Sequence, residues 1–219
     1  MGNGVCVVVG VGSGLGMALC RRFGREGFRL AVLARRFEPL RQAAEALAAG
    51  GIRAQPIAAD AGSTESLEHA FAVVRETLGD PEVLIYNAAV LRQASPLSLP
   101  AAELIETFRT NVAGALVAAQ QVAPAMRRRG SGSILLTGGG LAIDPWPKFA
   151  SLAVGKAALR NLAFSLAKEL EPSSIHVATV TIRGTIAPET RFDPERIAQE
   201  YWRLHRQARE SWQREVLIE

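Results

Sequence analysis

The sequence predicts an α/β fold in which one parallel sheet of about seven strands is covered by helices on both faces. Short apolar runs alternate with helix-period segments along the whole chain, the pattern of strand–helix crossovers. The first of these runs opens directly into a glycine-rich stretch and then a helix. No repeat, linker or low-complexity tract divides the chain, so residues 1–219 are expected to form a single domain.

Taken in order, residues 5–9, 29–34, 53–58, 83–86, 133–137 and 176–181 read as strands. Residues 15–26, 39–49, 63–78, 100–128 and 150–170 read as helices between them. The unbroken apolar run 5–9 suits a strand buried on both faces. Ser63, with Glu65 and Ser66 after it, is a helix-start signal, and Gly50-Gly51 is a helix stop. Arg127-Arg128-Arg129 before Gly130 places cations at a helix C-terminus, where the helix dipole favours them. In the tail, residues 194–209 have a helical pattern and residues 212–218 end as a candidate edge strand.

Composition excludes several classes. No apolar run approaches the roughly 18 residues of a membrane span, and the first run lacks a basic leader and a cleavage site, so a core strand is expected there and not a signal peptide. Cys6 and Cys20 fall in a strand and a helix, which is no disulfide framework and favours buried packing, a reduced cytoplasmic setting and no metal. The net charge of +4 raises the question of nucleic acid, but the arginines are not interleaved with aromatics and no nucleic-acid motif occurs. A solvated basic surface is the expectation.

The chemistry begins at Gly10-Val11-Gly12-Ser13-Gly14-Leu15-Gly16. Placed after the first strand and opening the first helix, it is a Rossmann-type phosphate turn, with Gly10, Gly12, Ser13, Gly14, Leu15 and Gly16 as candidate cofactor contacts. NAD sites usually carry a carboxylate about 20 residues further on. Here Ala34-Arg35-Arg36 stands at the end of the second strand and the nearest acid is Glu38. A guanidinium suits a 2′-phosphate, so Arg35 and Arg36 favour NADP, with NAD as the alternative.

Further motifs follow in order: Asp60-Ala61 after the third strand, Asn87-Ala88-Ala89 after the fourth, Thr110-Asn111-Val112 in a helix, Lys156, and Gly184 after the sixth strand. With the glycine turn, they make the chain resemble the short-chain dehydrogenase/reductase family over almost its full length. That resemblance implies a Rossmann domain, an NAD(P)(H) cofactor, an unknown small-molecule substrate and a homodimer or homotetramer. It implies that Asp60, Ala61, Asn87, Ala88, Lys156 and Gly184 contact the cofactor, and that Asn111 and Lys156 belong to the proton relay. Small residues such as Ala113, Gly114, Ala157 and Ala158 would permit close helix packing between subunits, or an ordinary helix–sheet contact.

The departures cluster at the chemistry. The family's tyrosine position is Leu152 and its serine position is Gly139, while Val9, Ala89 and Arg183 replace a threonine, a glycine and a proline. The resemblance implies that residues 185–219 form a shortened substrate-lid region and the final edge strand. Losing a general acid costs roughly 10²–10⁴ in rate, and losing an oxygen-binding hydroxyl about 10² or more. Tyr201 and His205, four apart on the tail helix, are a candidate replacement proton source, set against simple packing of an amphipathic helix. The expectation is an atypical oxidoreductase with impaired carbonyl reduction; the alternative is an inactive dinucleotide-sensing or partner-binding protein.

Overall fold

The computed structural model describes residues 4–219. Its strands are β1 (Val5–Val9), β2 (Arg29–Ala34), β3 (Ala54–Ala58), β4 (Val83–Tyr86), β5 (Gly132–Thr137), β6 (Ile175–Ile182) and β7 (Glu215–Ile218). They make one seven-stranded sheet in the order β3-β2-β1-β4-β5-β6-β7. Every pairing is parallel. The order reverses between β1 and β4, where Val9 is in register with Tyr86 on one side and with Leu33 on the other. Crevices at such a reversal, beyond the carboxyl ends of the strands, are where open α/β sheets take ligands.

The helices are α1 (Leu15–Arg25), α2 (Phe37–Ala49), α3 (Thr64–Thr77), α4 (Ala101–Phe108), α5 (Gly114–Arg129), α6 (Ala150–Leu170) and α7 (Pro194–His205). Alternate residues of β1 serve two cores, which is why the whole strand is apolar. Val7 packs with Phe71 of α3, Val122 of α5 and Leu159 of α6. Cys6 and Val8 pack with Phe23 of α1, Leu40 of α2 and Tyr201 of α7. Both cysteines are free and fully buried, and burial pushes the Cys20 thiol up to about 12. They are packing groups. Among the described residues no helix is long and apolar enough to cross a membrane.

The end signals act as local chemistry predicts. Ser63 Oγ accepts from Ser66 N at 3.2 Å, capping α3. Gly51, after α2, takes φ +77°, a conformation that L side chains resist. Asp193 starts α7, its Oδ1 accepting from Glu195 N at 2.8 Å.

One expected helix differs. Residues 100–128 are not continuous α-helix, because a π-helical turn, Arg109–Ala113, separates α4 from α5. The Gly114 N–H bonds back to Arg109 O, which leaves the Thr110 carbonyl to accept the Tyr86 hydroxyl at 2.5 Å. Gly114 lies against the Ala61 carbonyl and that same hydroxyl, where a side chain would not fit. Its small size therefore serves an internal contact. The turn carries Asn111, and π-turns often mark functional positions.

Candidate functional site

The glycine turn is shaped by backbone crowding on one side and openness on the other. Gly10 has φ +92°, and the Ala88 backbone fills the space a side chain would need. Its N–H donates to Leu33 O at 2.9 Å, fixing the turn to β2. A Cβ on Gly16 would lie 2.9 Å from Gly10 O, so the helix start is held close to the turn. At Gly12 and Gly14 nothing stands within 4 Å of a built Cβ. Among the described residues, the backbone N–H groups of Gly12, Ser13, Gly14, Leu15 and Gly16 have no acceptor, and the first turn of α1 carries no acid. Free donors at the positive end of a helix, beside open space, fit a phosphate.

Beside this turn lies a cleft of about 230 Å³. It is lined by Gly10, Gly12 and Arg35 together with Asp60, Ala61, Asn87 and Ala88. Arg36 begins α2 and is exposed outside the lining. Neither Arg35 nor Arg36 has an ion-pair or hydrogen-bond partner among the described residues. Glu38 does: Arg41 Nη2 lies 2.6 Å from its Oε1 and holds its carboxyl below the usual carboxylate range. Asp60 Oδ1 accepts from Gly62 N at 2.9 Å, which braces the loop after β3. The cleft also takes in Val90, which no sequence motif singles out, and Thr110, which the sequence marks only as the neighbour of Asn111.

The next corner is built around Lys156. It is 8% exposed, and its Nζ donates to the Thr137 carbonyl at 2.6 Å. Burial penalises the charged amine and lowers its pKa to about 8. Leu152, one helical turn earlier, is also buried and contributes only methyl groups. Gly139 has extended backbone (φ −168°, ψ 146°), and a Cβ built on it would meet Lys156 Cγ at 3.4 Å. Position 139 thus faces the lysine stem and presents no hydroxyl to it. Asn111 is buried, with Oδ1 accepting from Val90 N at 2.6 Å and Nδ2 donating to Val90 O at 3.2 Å. Its side chain clamps the loop after β4, and Gly155 lets α6 approach it closely.

Other expected residues are placed elsewhere. Gly184 does not line the cleft; the Phe192 ring occupies the position its side chain would take. Arg183 pairs with Glu219, and its stem packs over Gly140. Tyr201 is fully buried between α7 and the sheet. His205 Nδ1 is 2.9 Å from Ser133 Oγ, and its ring sits among Phe23, Phe28 and Trp202. Tyr201 lies inside the core and His205 is half-buried at its margin, where α7 packs on the sheet face beside α1.

An open parallel sheet with a free-donor glycine turn at its reversal point defines a Rossmann-type protein. The family model described as short chain dehydrogenase matches residues 4–195, and the chain belongs to the short-chain dehydrogenase/reductase family. It is 30% identical over 178 residues to Dehydrogenase/reductase SDR family member 4 of Pongo abelii, covering 81% of this chain and 64% of that relative. The match to Oxidoreductase asL5 of Sarocladium schorii is also 30% identical, covering 84% of this chain and 72% of that one. A metagenomic short-chain oxidoreductase solved in complex with NADP superposes with a TM-score of 0.90 at 28% identity, covering 99% of this chain and 96% of that one.

Proposed function

We propose that this chain is an NADP(H)-binding oxidoreductase with an atypical active site, acting on a carbonyl or activated alkene. The observation that carries it is the glycine turn, whose five free N–H groups adjoin a cleft lined by the unpaired Arg35. Gly10, Gly12, Ser13, Gly14, Leu15 and Gly16 would hold the pyrophosphate. Arg35, with Arg36 beside it, would take a 2′-phosphate, since Glu38 is engaged by Arg41 and does not offer its carboxylate to a ribose diol. Asp60, Ala61, Asn87 and Ala88 would enclose the remaining nucleoside. The NADP-bound metagenomic relative supports the same cofactor here.

When bound, the dinucleotide supplies or accepts hydride. Leu152 and Gly139 cannot supply the proton. Lys156, its Nζ held on the Thr137 carbonyl, and Asn111 are the relay members that remain, and substrate or water would supply the proton itself. Asn111 keeps the adjacent loop in place. Turnover of NADPH with at least one member of a carbonyl and enone panel is the expected result. Binding of NADPH without turnover of any member would overturn the catalytic reading.

A second reading, a dinucleotide-sensing or partner-binding protein, is favoured by one observation: no hydroxyl side chain stands at either position 139 or 152, while the cradle is complete. Self-association as a homodimer or homotetramer belongs to both readings, through α4, α5 and α6, which expose Ile105, Phe108, Leu116 and Val154.

A further inference from the structure

Tyr201 is fully buried in α7, and the proposed chemistry makes no use of it. Its hydroxyl oxygen lies 2.7 Å from Thr137 Oγ1. Thr137 Oγ1 donates to Asn87 Oδ1 at 3.0 Å. A hydroxyl has one hydrogen, so with Thr137 donating to the amide oxygen, the phenol is the donor to Thr137. Asn87 Nδ2 then donates to Gly10 O at 2.8 Å. Groups from α7, β5, the end of β4 and the glycine turn thus form one line with a single direction of donation.

We propose that Tyr201 is a positioning residue that, through Thr137, fixes the Asn87 amide and with it the Gly10 turn that begins the phosphate cradle. A reversed amide would set its NH₂ against the Thr137 hydroxyl and its oxygen against the Gly10 carbonyl, two acceptors face to face. Donation from Tyr201 keeps the threonine hydrogen on Asn87 and holds the amide in its single workable orientation. Burial pushes the phenol's pKa up, so it stays a donor across the physiological range. The same Thr137 accepts Lys156 Nζ on its backbone carbonyl, so one residue joins the tail helix, the turn and the lysine. The importance of this line for ligand binding rests on the dinucleotide reading above; the line itself does not.

The test uses Tyr201→Phe, which keeps the ring and removes the donor, and Thr137→Val, which breaks the line at its centre. Ile197→Val is the control, since it trims buried packing four residues earlier on α7 and leaves the line intact. In the apo protein, exchange of the Asn87 side-chain amide protons is expected to quicken about fivefold in Tyr201→Phe, the value of one neutral hydrogen bond. Kd for NADPH is expected to rise by a similar factor. The double variant should fall short of the product of the singles, because both cut one line, while Ile197→Val should leave exchange and Kd unchanged. Wild-type exchange at Asn87 in Tyr201→Phe, or an equal effect from Ile197→Val, would overturn the proposal. Loss of NADPH binding in the wild-type protein would strike the dinucleotide reading alone, and the apo exchange would still decide the role of Tyr201.

Discussion

Lys156 Nζ lies 2.6 Å from the Thr137 carbonyl, so the lysine's position is set by a backbone group of β5 and needs no phenol beside it. Leu152, the residue one turn earlier, can change without removing that anchor. The cradle and the lysine are therefore independent of the missing acid, and the consequences below separate them.

Restoring the lost groups is the most direct chemical test. Gly139 has extended backbone, and its built Cβ makes ordinary contact with the lysine stem, so Gly139→Ser fits without strain. Combined with Leu152→Tyr, it is expected to raise NADPH-dependent carbonyl reduction by about 10²-fold or more. A rate equal to wild type, with the fold intact by circular dichroism, would mean that the pocket around Lys156 has been rebuilt for another purpose.

Arg35 should decide the choice of dinucleotide. It lines the cleft without a partner, so Arg35→Ala is expected to weaken NADPH binding about 10–100-fold, the range for a hydrogen bond to a charged group. NADH binding should change little. Calorimetric titration of both nucleotides checks this, and equal losses for the two would place Arg35 away from any 2′-phosphate.

Gly10 is the residue on which the turn depends. With φ +92° and the Ala88 backbone against it, Gly10→Ala should cost about 2–3 kcal/mol through strain and overlap. Denaturant unfolding measures that loss. A variant as stable as wild type would contradict the close approach of β1 and β4 described above.

The buried lysine carries a pH signature with a definite sign. Its folded-state pKa, about 8, lies below the ordinary value of 10.5, so the unfolded chain binds more protons between those pH values. Stability attributable to this group therefore rises as pH rises through that window. The advantage of Lys156→Met over wild type should be largest below pH 8 and shrink by up to about 3 kcal/mol by pH 10.5. Parallel stability profiles for the two proteins would show that the amine is solvated in the folded state.

The sheet was legible because its strands report burial directly. The continuous apolar run of β1 needs cover on both faces, and the glycine turn after it fixes which end binds. The π-turn at Arg109–Ala113 was not legible, because the Thr110 carbonyl it leaves free is taken up by a tertiary partner, the Tyr86 hydroxyl. At the site, Gly10, Gly12 and Arg35 could be named from motif order and Asp60, Ala61, Asn87 and Ala88 from the family resemblance, and the fold gathers them around one cleft. Gly184 was readable as a required glycine, but its neighbour is Phe192, a contact that depends on the path of the tail. Val90 has no sequence signal, since it reaches the lining through the loop after β4, and Thr110 was marked only as the neighbour of Asn111.

The measurement that bears most directly on the central claim is a titration of the wild-type protein with NADPH and NADH, followed by thermal unfolding. Saturable binding with preference for NADPH is expected, with stabilisation near 2.7 kcal/mol when the nucleotide reaches 100 times its Kd. No shift with either nucleotide at millimolar concentration would contradict the account.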